Sequence, residues 1–376
     1  MEFHNATPLV AGYAPGLMKN GRRCLVLVAK ATYAFPNGEA PVHFAEQQQP
    51  LCESDRYTGA PGESSPLLES DYAPLKPRCD VILINATAHA PGDRPVRVLE
   101  VSLELNDIRK RLRVVGNRHW EFSKRRWRPG TPEPFTRLPV TYENAWGGSD
   151  AGEREGERET CTGNPVGKGY YCRIEEERVS GRLLPNLEPL DRTLKHPGDN
   201  LPPLAFGPVA RNWTPRRDHA GTYDQAWMEN RRPLLPEDFD ERYYQCAPED
   251  QQTDHLRGGE EVVLRHLTPE GETRFTLPQR EVPMQVILRE GTRHNLDPRL
   301  DTLIIDPQAR CFTLTWRARV GLRRSLHEVE TLIVGRPTRG WEHARRMEKP
   351  YWDLKELKRI RTRFQGAGAK QPEETF

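Results

Sequence analysis

Prolines constrain this chain more than any other feature: there are 34 of them, alongside 29 glycines, in 376 residues. Proline lacks the amide donor that a helix interior needs, and its share stands far above the usual roughly 5%. The bulk of the chain is therefore expected as strands and ordered turns. A chain this long can bury a sizeable core as one large domain or two ordinary ones. Only 36% of the residues are hydrophobic, and the mean hydropathy is −0.79. Trp, Tyr and Phe nonetheless run from end to end, which disordered chains do not show. The reading is a folded protein with a polar surface.

Alternating apolar residues mark strands in RCLVLVAKATYAF from Arg23, DVILINATAHA from Asp80 and VRVLEVSLELND from Val96. RKRLRVVGNRHWEF follows from Arg109 after a short turn near Asn106 and Asp107, and reads as the hairpin partner of the preceding strand. From about Pro129 to Pro202 the text turns to Gly, Pro and Asn clusters, which mean loops. Phe135, Tyr142, Trp146, Tyr170 and Tyr171 favour loops that wrap a core, and SDAGEREGERET from Ser149 reads as a charged, mobile stretch. Strand patterns return in EVVLRHLT, TRFTLP, VPMQVILRE, DTLIIDPQARCFTLTWRARVG and HEVETLIVG, with a hairpin turn at Asp306, Pro307 and Gln308. The strand-helix-strand rhythm of a doubly wound nucleotide-binding fold is missing.

The expected class is mainly β: β-sandwich-like sheets with long Pro/Gly-rich loops. A short internal helix is expected over 222–232, with Thr222 as N-cap and a stop before Pro233. An amphipathic C-terminal helix places Trp352 or Leu354, Leu357, Ile360 and Phe364 on one face. The domain reading is one β-rich module over 1–335, with two lobes dividing near 130–200, a helical extension over 336–365 and a flexible tail over 366–376.

The formal charge of +2 is the balance of 56 basic and 54 acidic residues, so no whole-molecule field attracts nucleic acid or a membrane surface. Arg outnumbers Lys by 45 to 11, which fits interfaces but equally a coding-sequence base bias. No apolar run reaches the roughly 18 residues of a membrane helix, and the opening MEFHNATPLVAGYAPG lacks the pattern of a secretory signal. The seven cysteines are scattered with no C-x-x-C pair. A reducing cytoplasm is the expected compartment.

Several stretches imitate chemistry. GNPVGKG, Gly163 to Gly169, resembles a phosphate loop, but Gly169 stands where Ser or Thr would hold the metal, and Pro165 removes a donor from the cradle. His119 and the His327-Glu328-Val329-Glu330 run lack metal-ligand spacing, and Cys161 and Cys172 read as ordinary thiols. The segment from Arg336 to Arg363 carries ten basic residues against four acids and reads as a solvated helix face or a contact for an acidic partner. No cofactor or metal is expected.

The stretch from Thr222 to Cys246, TYDQAWMENRRPLLPEDFDERYYQC, concentrates aromatics, an Arg pair and carboxylates. Asp224, Asp238 and Asp240 would suit a carbohydrate-active hydrolase if a second acid faced them. The competing reading makes them turn caps and partners of Arg231, Arg232 and Arg242.

Eight motifs in order then identify a relationship. DRYTGAPGESSPLLESDYAPLKPRCDVILINATAHAPGDRPV, VVGNRHW, PFTRLPVTYENAWGG, GNPVGKGYY, LPNLEP, PPLAFGPVARNWTPR, the stretch from Thr222 onward and LRGGEEVVLRHLTPEG together resemble the bacterial family named domain of unknown function 2169. The resemblance covers Asn5 to Leu277 and continues more weakly to Gly335. Pro203-Leu204 departs from the small Ala-Gly pair of many relatives. What the resemblance implies is a non-enzymatic adaptor or chaperone of type VI secretion, partnered with a toxic effector and with the VgrG or PAAR spike proteins. It carries over no catalytic residue. An adaptor needs aromatic and Arg-rich patches, which selects Trp146, Trp213, Trp227, Arg231, Arg232, Asp238 and Asp240 as candidate partner-binding residues. Each Trp alone equally suits core packing, and the region as a whole suits a contact surface.

Overall fold

The computed structural model describes residues 1–36, 41–151, 158–323 and 325–351. Among these the chain is mainly β, with few and short helices. Contacts divide it into two units, Met1–Val334 and Gly335–Phe376. In the second unit, the helix Arg339–Arg346 starts at Thr338, whose hydroxyl accepts the amide of Trp341 at 3.2 Å. The amphipathic helix expected from Trp352 to Phe364 lies outside the described residues, as do the tail and the tip of the charged stretch after Ser149. The flanks of that stretch, Ser149–Ala151 and Arg158–Thr160, pair as an antiparallel hairpin.

Three sheets organise the first unit. In the seven-stranded sheet Gln252–Thr253, Cys79–Leu83, Arg299–Asp306, Cys311–Gly321, Arg23–Ala34 and Val10–Leu17 lie side by side, with His43–Phe44 added onto Arg23–Ala34. A five-stranded sheet holds Leu187–Glu188, Ile108–Val115, Val98–Leu105, Glu261–Arg265 and Glu272–Thr276. Its central hairpin is the one read from sequence: Leu105 pairs with Ile108, and Asn106 turns the chain with a φ of 50°, which Asn tolerates. The third sheet joins Glu2–Asn5, Val329–Val334, Met284–Leu288 and Arg293–Asn295.

Side chains alternate between faces along a strand, and this alternation sorts the long Arg23–Ala34 strand into two chemistries. Leu25, Leu27, Ala29, Ala31 and Tyr33 enter the main core, where they meet Val101, Leu103 and Leu264 of the five-stranded sheet and Val286 and Leu332 of the four-stranded one. Cys24, Val26, Val28, Lys30 and Thr32 point the other way and are buried as well. That second face is covered by loops. Gln48 bonds both backbone groups of Thr32, and Gln251 donates to the carbonyls of Val81 and Phe206. Backbone groups under a loop need such partners, and the Gln side chains supply them.

Charges sit on this covered face. Lys30 meets Asp71 at 2.6 Å, Lys76 meets Asp80 at 2.6 Å, and Arg317 pairs with Asp301. All six are buried. Asp80 also accepts from Gln245 Nε2 at 2.6 Å and from the Cys246 amide at 2.8 Å, while Arg317 Nε donates to the Asp71 carbonyl at 2.8 Å. The loop over 45–76 and the segment 245–251 are thus fastened to the sheet through ion pairs and hydrogen bonds, beside a small apolar cluster of Leu68, Ile82, Cys246, Ala247 and Ile304. Burial also pushes the Cys246 thiol well above its ordinary pKa, so it is a neutral packed group.

Candidate interaction surface

The segment 213–246 forms a small lobe whose base is fixed and whose crest is open. At the base, Trp213 is 1% exposed and packs edge-on against Tyr142, with ring centroids 5.1 Å apart. Arg216 is buried beside it. Its guanidinium donates to the carbonyls of Tyr243 at 2.8 Å and Val209 at 2.9 Å and pairs with Glu69. Glu69 in turn takes Arg211 at 2.8 Å. Burial alone would raise the Glu69 pKa, but Arg216, Lys76 and Arg211 outweigh it and hold the carboxyl down at about 2.

The crest is the helix Gln225–Asn230, which has no buried residue. Asp224, not Thr222, is its N-cap: the Asp224 carboxylate accepts the Trp227 amide at 2.8 Å. The Thr222 hydroxyl and amide are instead bound by Asp238 at 2.7 and 2.9 Å, which fixes the turn before the helix. Trp227 stands half-buried against Tyr223, with centroids 4.7 Å apart, and its indole N–H donates to the Leu234 carbonyl at 2.9 Å. Arg231 bonds the Leu235 carbonyl at 2.7 Å and Glu237 at 3.0 Å. Arg232 is exposed and makes no ion pair among the described residues. Tyr223 and Met228 are 53% and 52% exposed, the largest open apolar groups of this lobe. Tyr, Trp, Met and Arg are the types that concentrate at interface centres.

Of the residues singled out in sequence, Trp227, Arg231, Arg232, Asp238 and Asp240 come together on this lobe. Trp213 lies beneath it, and Trp146 lies elsewhere, in a core with Trp120, Val179 and Leu184. Neither Trp213 nor Trp146 presents its ring to solvent. Sequence reading passed over Tyr223 and Met228. Tyr223 precedes the helix N-cap and Met228 lies on the helix, and neither belongs to an apolar stripe that would have buried it.

The three carboxylates offered to acid-base chemistry are occupied. Asp224 caps the helix, and Asp238 holds Thr222. Asp240 accepts the Arg242 amide at 2.9 Å and its guanidinium at 2.6 Å. The Thr222 amide and hydroxyl keep Asp238 below the usual carboxylate range, and the Arg242 bonds do the same for Asp240. A glycosidase acid requires the opposite shift. Asp224→Ala is expected to cost about 1 kcal/mol through the lost cap and to speed amide exchange over 225–230. Urea unfolding and hydrogen exchange check both effects.

The chain matches the model of a family described as an uncharacterized protein conserved in bacteria (DUF2169) over residues 20–317. No curated protein and no solved structure matches it.

Proposed function

The chain belongs to the DUF2169 family, and from that premise we propose that it is a non-enzymatic adaptor of type VI secretion, which binds a toxic effector in the cytoplasm and helps load it onto the VgrG/PAAR spike. The observation that carries the reading is the crest: Tyr223, Trp227 and Met228, with Arg231 and Arg232 beside them, stand on a lobe whose base is pinned by the buried Arg216 and Glu69. A pinned base keeps the crest ordered before a partner arrives, and preorganisation lowers the entropy lost on binding. The ordered motif series supports the same reading. The hydrolase alternative has less behind it, because Asp224, Asp238 and Asp240 are engaged in caps and pairs.

Tyr223→Ala with Met228→Ala tests the proposal. Both side chains are exposed, so the double variant is expected to melt within about 2 °C of the parent yet to co-purify at least tenfold less effector from its native host, a loss of about 1.4 kcal/mol or more. Mass spectrometry of the tagged chain's eluate reads the outcome. Undiminished co-purification would move the contact face away from this lobe. If deletion of the protein left every toxin of an active system secreted normally, the adaptor reading itself would fall.

A further inference from the structure

The loop from Gly163 to Gly169 does not cradle an anion in its own amides. Asn164 is fully buried and donates to the carbonyls of Tyr142 and Trp146, both at 2.9 Å, and the Lys168 amide is taken by the Ala145 carbonyl. Folded this way, the loop presents the Lys168 side chain to a cleft of about 800 Å³. Arg158, Arg178 and Arg182 line the same cleft, with Tyr170 and Tyr171 on its wall. A cleft of this size is in the range of small-molecule sites.

Among the described residues its charge is compensated from within only at Arg178. Arg178 pairs with Asp150 at 3.0 Å, the one carboxylate among the described residues of the lining. Among the described residues the other three cations bond neutral acceptors. Arg158 Nε donates to Ser149 Oγ at 2.8 Å, Arg182 Nε to the Arg178 carbonyl at 3.2 Å, and Lys168 Nζ to Asn186 Oδ1 at 2.8 Å. Glu159, a nearby acid, is engaged with the Tyr170 hydroxyl at 3.5 Å. Burial lowers the Lys168 pKa, so its ammonium sits where water does little to support it and a counter-anion would be favoured. Three guanidinium or ammonium groups facing one cleft, with no carboxylate partner among the described residues, are the arrangement that takes up oxyanions in bidentate and point-charge fashion.

We propose that this cleft binds a compact polyanion of the phosphate class, such as pyrophosphate or a phosphate ester, independently of the adaptor role. Calorimetric titration of the full chain with inorganic pyrophosphate, with citrate as the carboxylate comparison, tests it. Saturable binding of pyrophosphate is expected, and it should weaken as sodium chloride rises. Arg158→Gln and Arg182→Gln should each reduce the affinity about tenfold, one charge-assisted bond being worth roughly 1.4 kcal/mol. Both residues are exposed, so the variants should stay folded. A melting scan gives a second reading, because pyrophosphate should raise the parent's Tm and leave the double variant's unmoved. The proposal is overturned by no saturable heat up to about 10 mM, by affinity that neither substitution changes, or by citrate binding as tightly as pyrophosphate. Normal effector loading in the Arg182→Gln variant would leave the adaptor reading intact, so the two ideas fail separately.

Discussion

Arg317→Met is expected to lower the free energy of unfolding by about 3 to 5 kcal/mol, the usual cost of removing one partner from a buried ion pair. Arg317 is 1% exposed and binds three groups at once: Asp301, the Thr302 hydroxyl at 3.0 Å and the Asp71 carbonyl at 2.8 Å. Without it Asp301 stays buried and loses its main counter-charge, while Asp71 keeps Lys30 and the Cys52 amide. Methionine matches the length of the Arg stem, so the loss is of charge and hydrogen bonds rather than of volume. The double variant Arg317→Met with Asp301→Leu should recover most of that loss, since removing both ions together leaves neither uncompensated. Urea unfolding followed by Trp fluorescence measures both. A single variant within about 1 kcal/mol of the parent would mean that water reaches this face and the pairs carry little.

The same network shows which parts of the structure a sequence exposes. Strands were legible because their signal is local: alternation in RCLVLVAKATYAF and in FTLTWRARV is the direct trace of a sheet with two faces. Lys30, Asp80 and Arg317 stand in the same strands, as charges among apolar residues, and nothing local marks them as buried. They are buried because Asp71 and Gln245 lie over them, and those contacts join residues 246 and 165 positions apart. No local pattern records such a pairing. Side-chain competition explains the misplaced cap. Thr222 and Asp224 are both good N-caps, and Thr222 lost the role because Asp238, 16 positions on, took its hydroxyl and amide. The tryptophans failed as guides for a similar reason. Trp213 and Trp227 stand 14 residues apart in one aromatic stretch, yet one faces inward and the other half outward, a choice made by Tyr142 and the buried Arg216 beneath them.

Acid should dismantle this anchoring in a window set by Glu69. Its carboxyl is held at about 2 in the folded chain, against an ordinary 4.5. A carboxyl depressed in this way contributes stability that is complete above about pH 4.5 and is lost as the pH falls through about 2. The difference corresponds to about 3 kcal/mol, and the group is buried enough for solvent screening to take little of it. Other acids contribute to the same slope, because Glu143 and Asp240 are also depressed, so the contribution of Glu69 must be read as a difference. Glu69→Gln destabilises the chain at neutral pH by taking the counter-charge from the buried Arg216, and it also removes the titrating group. Unfolding free energies measured in urea at pH 7, 5, 3 and 2.5 should therefore converge for parent and variant as the pH drops. Parallel curves would show that Arg216, Arg211 and Lys76 do not bias the Glu69 proton. Convergence would carry a functional consequence, because Arg216 ties Tyr243 and Val209 to the base of the lobe. Loss of its counter-ion should free the Tyr223, Trp227 and Met228 crest while the main core, built from apolar side chains of three sheets, remains folded.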